Sequence, residues 1–283
     1  MADLMKIKTL TLRCRYWRPG TDYVSEITER VKNHIESGDI IAVSEKAIST
    51  ATGNISDEAQ IKPSRLAWFL SSTWTRKIWG GPLGLLVGLK KRTIENLRNY
   101  PPEEGAAHKQ LTLSKVGFLQ SLRHYSEGGI DASNLPYAYV SLPLCKPVSN
   151  ASRIRENIQS DSGKEVTVMI MDGDTTYTWR NLHLAPRRVE SPGLIHFGGV
   201  TTFLIGKILG FKARQTPIAI AGEPINPDRA LWYARLFHRQ CGGGAGRTAW
   251  SMSEKMDTTL TGVTWEMLES VEHYPISIFR VSE

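Results

Sequence analysis

Ile40-Ile41-Ala42-Val43, followed at once by Ser44-Glu45-Lys46, is the stretch on which the fold reading turns. A short apolar run with no polar alternation predicts a strand buried on both faces. Val166 to Met171 repeats the pattern and ends in Asp172-Gly173-Asp174, with Thr175 to Trp179 continuing extended. Working outward, residues 5–14 alternate and predict a further strand. Thr21 reads as the N-cap of a helix carrying Val24, Ile27, Val31 and Ile35 toward Gly38. Pro63 opens a helical stretch that Gly80-Gly81-Pro82 interrupts, and Pro101-Pro102 closes the next one. Leu111 to Leu113 and Tyr137 to Leu144 read as strands, Ala151 to Gln159 as a helix, and Pro217 to Ala221 as a strand. A helix from Pro227 to about Arg239 runs into Cys241-Gly242-Gly243-Gly244-Ala245-Gly246-Arg247-Thr248. The end reads as a helix near Trp265 to Val271 and a strand from Ile276 to Val281. The elements mix without strict βαβ alternation or internal repeat, which predicts an α+β fold.

Hydrophobic residues are 41% and charged residues 22%, which excludes disordered and collagen-like classes. No long apolar run predicts a membrane-spanning helix, and Met1-Ala2-Asp3-Leu4 does not begin like a secretory leader. Cys14, Cys145 and Cys241 lie far apart without a CxxC, which argues against a zinc cluster and fits a reducing cytoplasm. Lys62 to Arg98 holds eight basic residues against one acid, Glu95, and so carries the whole net charge of +7. Trp68, Phe69, Trp74 and Trp79 share that segment. Nucleic acid or a membrane surface is one reading of such a segment. The favoured one is an amphipathic helix pair that packs its tryptophans inward and solvates its lysines.

Asp131 sits in a glycine-flanked loop, and Asp172 and Asp174 end a strand too apolar to face solvent. Carboxylates with no thiol or His pair nearby suit a hard cation such as Mg²⁺ or Mn²⁺. The competing reading, stronger from spacing alone, makes them turn residues that cap backbone N–H groups. The Gly242–Gly246 run is either an anion nest or a helix C-cap leading into a loop. No Walker or dinucleotide glycine motif occurs, and no serine- or cysteine-nucleophile pattern. His124 and His196 lie near the loops just named.

Several of these pieces together resemble the coenzyme F420-0:L-glutamate ligase (gamma-glutamyl ligase) family. Gly129-Ile130-Asp131-Ala132-Ser133-Asn134 reproduces its G-I-D-x-S-N motif. Gly38-Asp39-Ile40 through Lys46-Ala47-Ile48-Ser49 resembles its first strand segment, and Ser162-Gly163-Lys164 through Asp172 the strand that delivers a second aspartate. The resemblance implies a two-lobed mixed-sheet fold over 1–283 as a single unit, with 62–124 a divergent basic, Trp-rich helical lobe. It also implies a homodimer and a GTP- and metal-dependent amide ligase acting through an acyl phosphate. The partners implied are GTP, L-glutamate and an anionic carboxylate acceptor. Asp131 and Asp172 are then catalytic metal ligands, with Asp174 supplying a further carboxylate. Asn134 holds a phosphate or substrate group, and Glu45 and Lys46 line the nucleotide site. Tyr16 or Trp17 stacks on the purine, and Gly243, Gly244 and Arg247 meet the phosphates.

Thr50 stands where the family has a lysine, so Lys46 or Arg247 must supply that charge. Lys90, Lys91 and Arg92 are expected to give an anionic acceptor a positive approach. The alternatives are a paralogous ligase with another acceptor or amine, and a non-catalytic relative that binds nucleotide or anions.

Overall fold

The computed structural model describes residues 6–124 and 127–282, so the expected start of the first strand at residue 5 lies outside the described residues. β1 (Lys6–Cys14) leads to α1 (Tyr23–Val31), β2 (Ile40–Ser44), α2 (Glu45–Ala51) and β3 (Ile55–Asp57). A helical lobe follows. α3 (Arg65–Phe69) runs on as a π-helical stretch, Leu70–Trp79, into α4 (Pro82–Leu86), α5 (Lys91–Arg98), α6 (Pro102–Lys115) and α7 (Phe118–Ser121). The chain continues through β4 (Tyr139–Ser141), α8 (Pro147–Ser162), β5 (Thr167–Trp179), β6 (Leu182–Ala185), β7 (Ile195–His196) and α9 (Val200–Ile208). It ends with β8 (Lys212–Ala221), α10 (Pro227–Gln240), α11 (Ala249–Lys255), α12 (Trp265–Glu269) and β9 (His273–Ser282).

The main sheet runs β1-β9-β2-β5, with β8 along the other side of β5 and the β6–β7 pair at its far end. β2 and β5 are parallel, Ile41 opposite Val168, while β9 pairs antiparallel with both β1 and β2. The expected α+β class with a mixed sheet is what the chain adopts. The pleat explains why β2 carries no polar alternation: Ile41 and Val43 pack with Ile27, Ile48 and Ile154 from α1, α2 and α8. Ile40 and Ala42 point the other way, onto Tyr233, Ala234 and Phe237 of α10.

β5 is irregular at its middle. Asp172 pairs with Thr216 and Thr175 with Gln215, which leaves Gly173 and Asp174 as extra residues on this strand. Opposite Met171 stands Pro217, which has no N–H to give the ladder. The bulge turns the end of a buried strand outward.

Several boundaries differ from expectation. Asp22 rather than Thr21 caps α1, because the Thr21 hydroxyl is taken up by the turn at Arg18. Leu111 to Leu113 is helix, not strand: Pro102 occupies the first turn of α6 with Glu103 and Glu104, and the helix runs to Lys115. Pro101-Pro102 thus opens this helix as well as ending the one before. Tyr137 to Leu144 contributes only the short β4, paired with β3. Nothing in the sequence reading anticipated β6, β7, α9 or α11. Trp74 and Trp79 do pack inward, both indoles donating to the Leu122 carbonyl at 2.7 Å, whereas Trp68 and Phe69 are exposed.

Candidate active site

A cavity of about 880 Å³ opens at the carboxyl end of β2 and at the mid-strand bulge of β5, where the parallel pairing of the two strands stops. Ser44 and Lys46 reach it from the β2–α2 junction, and Asp172, Gly173 and Asp174 from the β5 bulge. Asp131 to Asn134, the loop Gly242 to Gly244 with Gly246 and Arg247, and the turn at Tyr16 complete that end. Ligands in open α/β-type sheets bind at this place, where parallel strands end and their following loops diverge.

Lys46 organises the first half of the site. Its Nζ lies 2.5 Å from Asp131 Oδ2 and donates to Ser133 Oγ at 2.8 Å. Asp131 is held by backbone pairing with Ser141, and its Oδ1 accepts from the Ser133 amide at 2.7 Å. Asp172 Oδ2 likewise accepts from the Asp174 amide at 3.3 Å. Both aspartates therefore cap turns while also facing the cavity.

Asn134, expected to hold a phosphate or substrate group, is itself anchored to the glycine loop. Its Oδ1 accepts from Ala245 N at 2.6 Å and Gly246 N at 3.3 Å, and its Nδ2 donates to the Gly246 carbonyl at 2.7 Å. The side chain thus clamps the glycine loop and occupies two of its amides. Gly244, at φ +56°, could not carry a Cβ, which would lie 2.5 Å from Asn134 Oδ1. Trp17 is 1% exposed and packs in the main core, so no open ring face is left there for a purine. Tyr16 lies against His273, ring centroids 4.8 Å apart, and donates its hydroxyl to the Asn134 carbonyl. Thr50 is buried, and its hydroxyl donates to the Lys46 carbonyl one turn earlier at 2.9 Å.

Arg187 is the residue that the sequence reading missed. It is 2% exposed, and its guanidinium meets Glu45 in a two-pronged pair at 2.7 and 2.8 Å. The same Nη1 lies 2.5 Å from Asp172 Oδ2 and 3.8 Å from Asp174 Oδ2. Glu45, expected to line the nucleotide site, is turned beneath it onto Arg187 and the Leu144 amide. Burial works against ionisation of Asp172, but the Arg187 charge and hydrogen bond hold its carboxyl below the usual range. Gly129, at φ +95°, has the guanidinium 2.3 Å from where a Cβ would sit, so this glycine of the G-I-D-x-S-N motif makes room for Arg187.

The family model for F420-0:gamma-glutamyl ligase matches residues 11–186, a span containing Lys46, Asp131 and Asp172. The chain belongs to that family. Similarity to an uncharacterized protein of Methanocaldococcus jannaschii runs at 33% identity over 98% of this chain and 97% of the relative. A coenzyme F420:L-glutamate ligase of Archaeoglobus fulgidus is 28% identical over 55% of each chain. One from Methanocaldococcus jannaschii is 29% identical over 49% of each. Within this gamma-glutamyl ligase family member, Arg187 falls just beyond the matched span, and the glycine loop at Gly242 to Gly246 lies well outside it.

The far half of the cavity is built by the helical lobe together with β4 and α11. Trp68, Tyr100, Tyr139 and Trp250 face it, with Glu103 and Glu104 from the first turn of α6. Among the residues lining the whole cavity, the lysines and arginines are Lys46 and Arg247, both at the other end. Lys90, Lys91 and Arg92 do not line it: Arg92 pairs with Glu254, and Lys91 reaches toward Glu95. The expected positive approach is therefore not provided by these three residues.

Beneath this half lies a charged knot. His108 Nδ1 is 2.6 Å from Glu58 and Nε2 3.5 Å from Glu127, and buried Lys109 donates to Glu127 at 2.9 Å. Burial alone would depress the His108 pKa, yet the charges of Glu58 and Glu127 push it up to about 10. A histidine raised on folding contributes stability that is complete below its unfolded value of 6.5 and is lost as pH climbs through about 10. His108→Gln should therefore cost most below pH 6.5, with the gap to wild type closing toward pH 10. Urea unfolding across that range checks it; a gap that widens as pH rises contradicts it.

The histidines singled out earlier lie elsewhere, His124 in the lobe's interior against Trp79 and His196 on β7. The two that line the end of the cavity near Lys46 and the glycine loop are His238 and His273. Burial, aided by the Lys46 charge, lowers the His273 pKa to about 4, so this imidazole is neutral. The only sequence signal for His238 was its place near the end of a helix entering the glycine loop.

Proposed function

We propose that the protein is a GTP- and divalent-metal-dependent amide ligase. It joins the amine of L-glutamate to F420-0 or a related carboxylate through an acyl phosphate. The observation that carries this reading is the meeting of Lys46, Asp131, Asp172 and the glycine loop in one cavity. A carboxylate does not acylate an amine at neutral pH, so the γ-phosphoryl group is first placed on it and then leaves as phosphate. Such chemistry needs positioning and charge neutralisation rather than a protein nucleophile.

Among the described residues, no three His, Cys, Asp or Glu side chains stand together as a ready-made metal cage. Mg²⁺ is commonly held by one or two carboxylates, with phosphate and water oxygens completing its shell. The oxygen donors of Asp131 and Asp172 fit that demand, with Asp174 beside them. The ion, when bound, neutralises phosphate oxygens. Lys46 holds Asp131 in place and adds charge at the position where Thr50 offers none. Arg187 fixes the orientation of Asp172. Arg247 faces the cavity beside the glycine loop and meets phosphate, while Asn134 keeps that loop in shape. Two chains per particle belong to the same proposal, and a monomeric mass in solution contradicts that part.

A second reading, a paralogous ligase with a different acceptor, is favoured by the far half of the cavity. Its aromatic walls and the carboxylates of Glu103 and Glu104 do not suit a strongly anionic tail. Thermal unfolding distinguishes ligand-binding from inert relatives. GTP with Mn²⁺ at a hundred times its dissociation constant should raise the midpoint by about 5 °C. No shift with any nucleotide–metal pair would contradict the reading.

A further inference from the structure

The basic lobe has a second surface that the cavity does not use. Tyr177 and Phe203 cluster with Val87, and Leu83, Leu204 and Phe211 pack against them, so α4, α9 and the end of β5 share one small core. Outside that core the same elements leave large apolar side chains bare. Leu85 and Leu86 on α4 are 65% and 73% exposed, and Ile208 and Leu209 at the end of α9 are 61% and 65% exposed. Trp179, also exposed, lies flat on Phe211, with ring planes 12° apart. Single exposed leucines are ordinary, but adjacent pairs on two elements anchored in one core call for a partner.

Charge decides which partner. Lys77 precedes α4 and Lys90 follows it, both exposed; Lys207 stands beside Ile208, and the Arg180 guanidinium lies 5.1 Å over the Trp179 ring. Residues 62–98 and 200–212 together contain one acidic side chain, Glu95, which sits within reach of Lys91. A second copy packed on this face about a twofold axis would bring like charges together with little acid to neutralise them. An anionic lipid surface complements both features. Apolar side chains enter the boundary between headgroups and acyl chains, lysines reach the phosphates, and a tryptophan sits at headgroup level.

We propose that the face formed by α4, the end of α9 and Trp179 docks peripherally on an anionic lipid bilayer, with Leu85, Leu86, Ile208 and Leu209 inserted. Among the described residues no helix is long and apolar enough to cross a membrane, so the contact is a surface one. The proposal is independent of the ligase reading, since none of these four residues lines the cavity.

Flotation of the full chain with vesicles tests it, using phosphatidylcholine alone or mixed with about one third phosphatidylglycerol. Binding is expected to the anionic vesicles and to weaken in about 0.5 M salt, where surface charge is screened. Leu85→Ser with Leu86→Ser, and separately Lys77→Gln with Lys90→Gln and Lys207→Gln, should each weaken it about tenfold or more. All five positions are exposed, and circular dichroism confirms that the variants fold. Wild type that fails to float, or floats equally well after both sets of substitutions, overturns the proposal. So does a lipid-free dimer that the leucine substitutions dissociate, because a second copy would then cover the face.

Discussion

Arg187→Met should destabilise the protein by roughly 3–5 kcal/mol, the cost of leaving buried carboxylates without their cation. Glu45 and Asp172 would lose a partner that reaches both at once, and Asp174 a guanidinium 3.8 Å away. Methionine fills much of the same space, so the loss comes from charge rather than from a void. Arg187→Lys should fall between the two, since an ammonium cannot reproduce the two-pronged pair with Glu45. The sign of the pH dependence is fixed by Asp172, whose carboxyl is held below its ordinary 3.8 by Arg187 against the effect of burial. Stability from such a group is present above its unfolded value and is lost as pH falls through the lower folded value. The deficit of Arg187→Met should therefore shrink in acid. Urea unfolding at neutral pH with a difference under about 1 kcal/mol, within the range of ordinary surface changes, would contradict this account.

Asp131→Asn should lower kcat/KM for ligation at least about 100-fold while leaving the fold intact. The amide keeps the shape of the side chain and an oxygen for the Ser133 N–H, but it removes the charge facing Lys46 and the proposed metal. Calorimetry separates the causes: Mn²⁺-dependent GTP affinity should drop, and metal-free affinity should change little. Equal Mn²⁺-dependent affinity in both proteins would remove Asp131 from the metal site.

The parts of the fold written in local chemistry were legible. Ile40 to Val43 and Val166 to Met171 had to be buried on both faces, and they form the parallel pair whose ends carry the site. Gly129 to Asn134 was legible as a motif, and it delivers Asp131 to that place. What failed depended on distant partners. Leu111 to Leu113 alternates like a strand over three residues, but Pro102, Glu103 and Glu104 start a helix that runs through it. Its buried lysine, Lys109, is tolerable only because Glu127 and the carbonyls of Ser121, at the end of α7, and Arg123 receive it. Arg187 lies between strands in a Pro-Arg-Arg turn with no periodicity, and becomes central only when Glu45, Asp172 and Asp174 converge on it. The clamp that Asn134 places on the glycine loop was equally illegible, because nothing local shows that a loop more than 100 residues later meets both ends of its amide.

Ligation itself is tested most directly by product formation from the purified chain with F420-0, L-glutamate, GTP and Mn²⁺, followed by mass spectrometry and phosphate release. A product heavier by one glutamyl residue is expected, with one phosphate released for each amide formed. Phosphate released without amide across a panel of carboxylate acceptors, or no phosphate release at all, would contradict it.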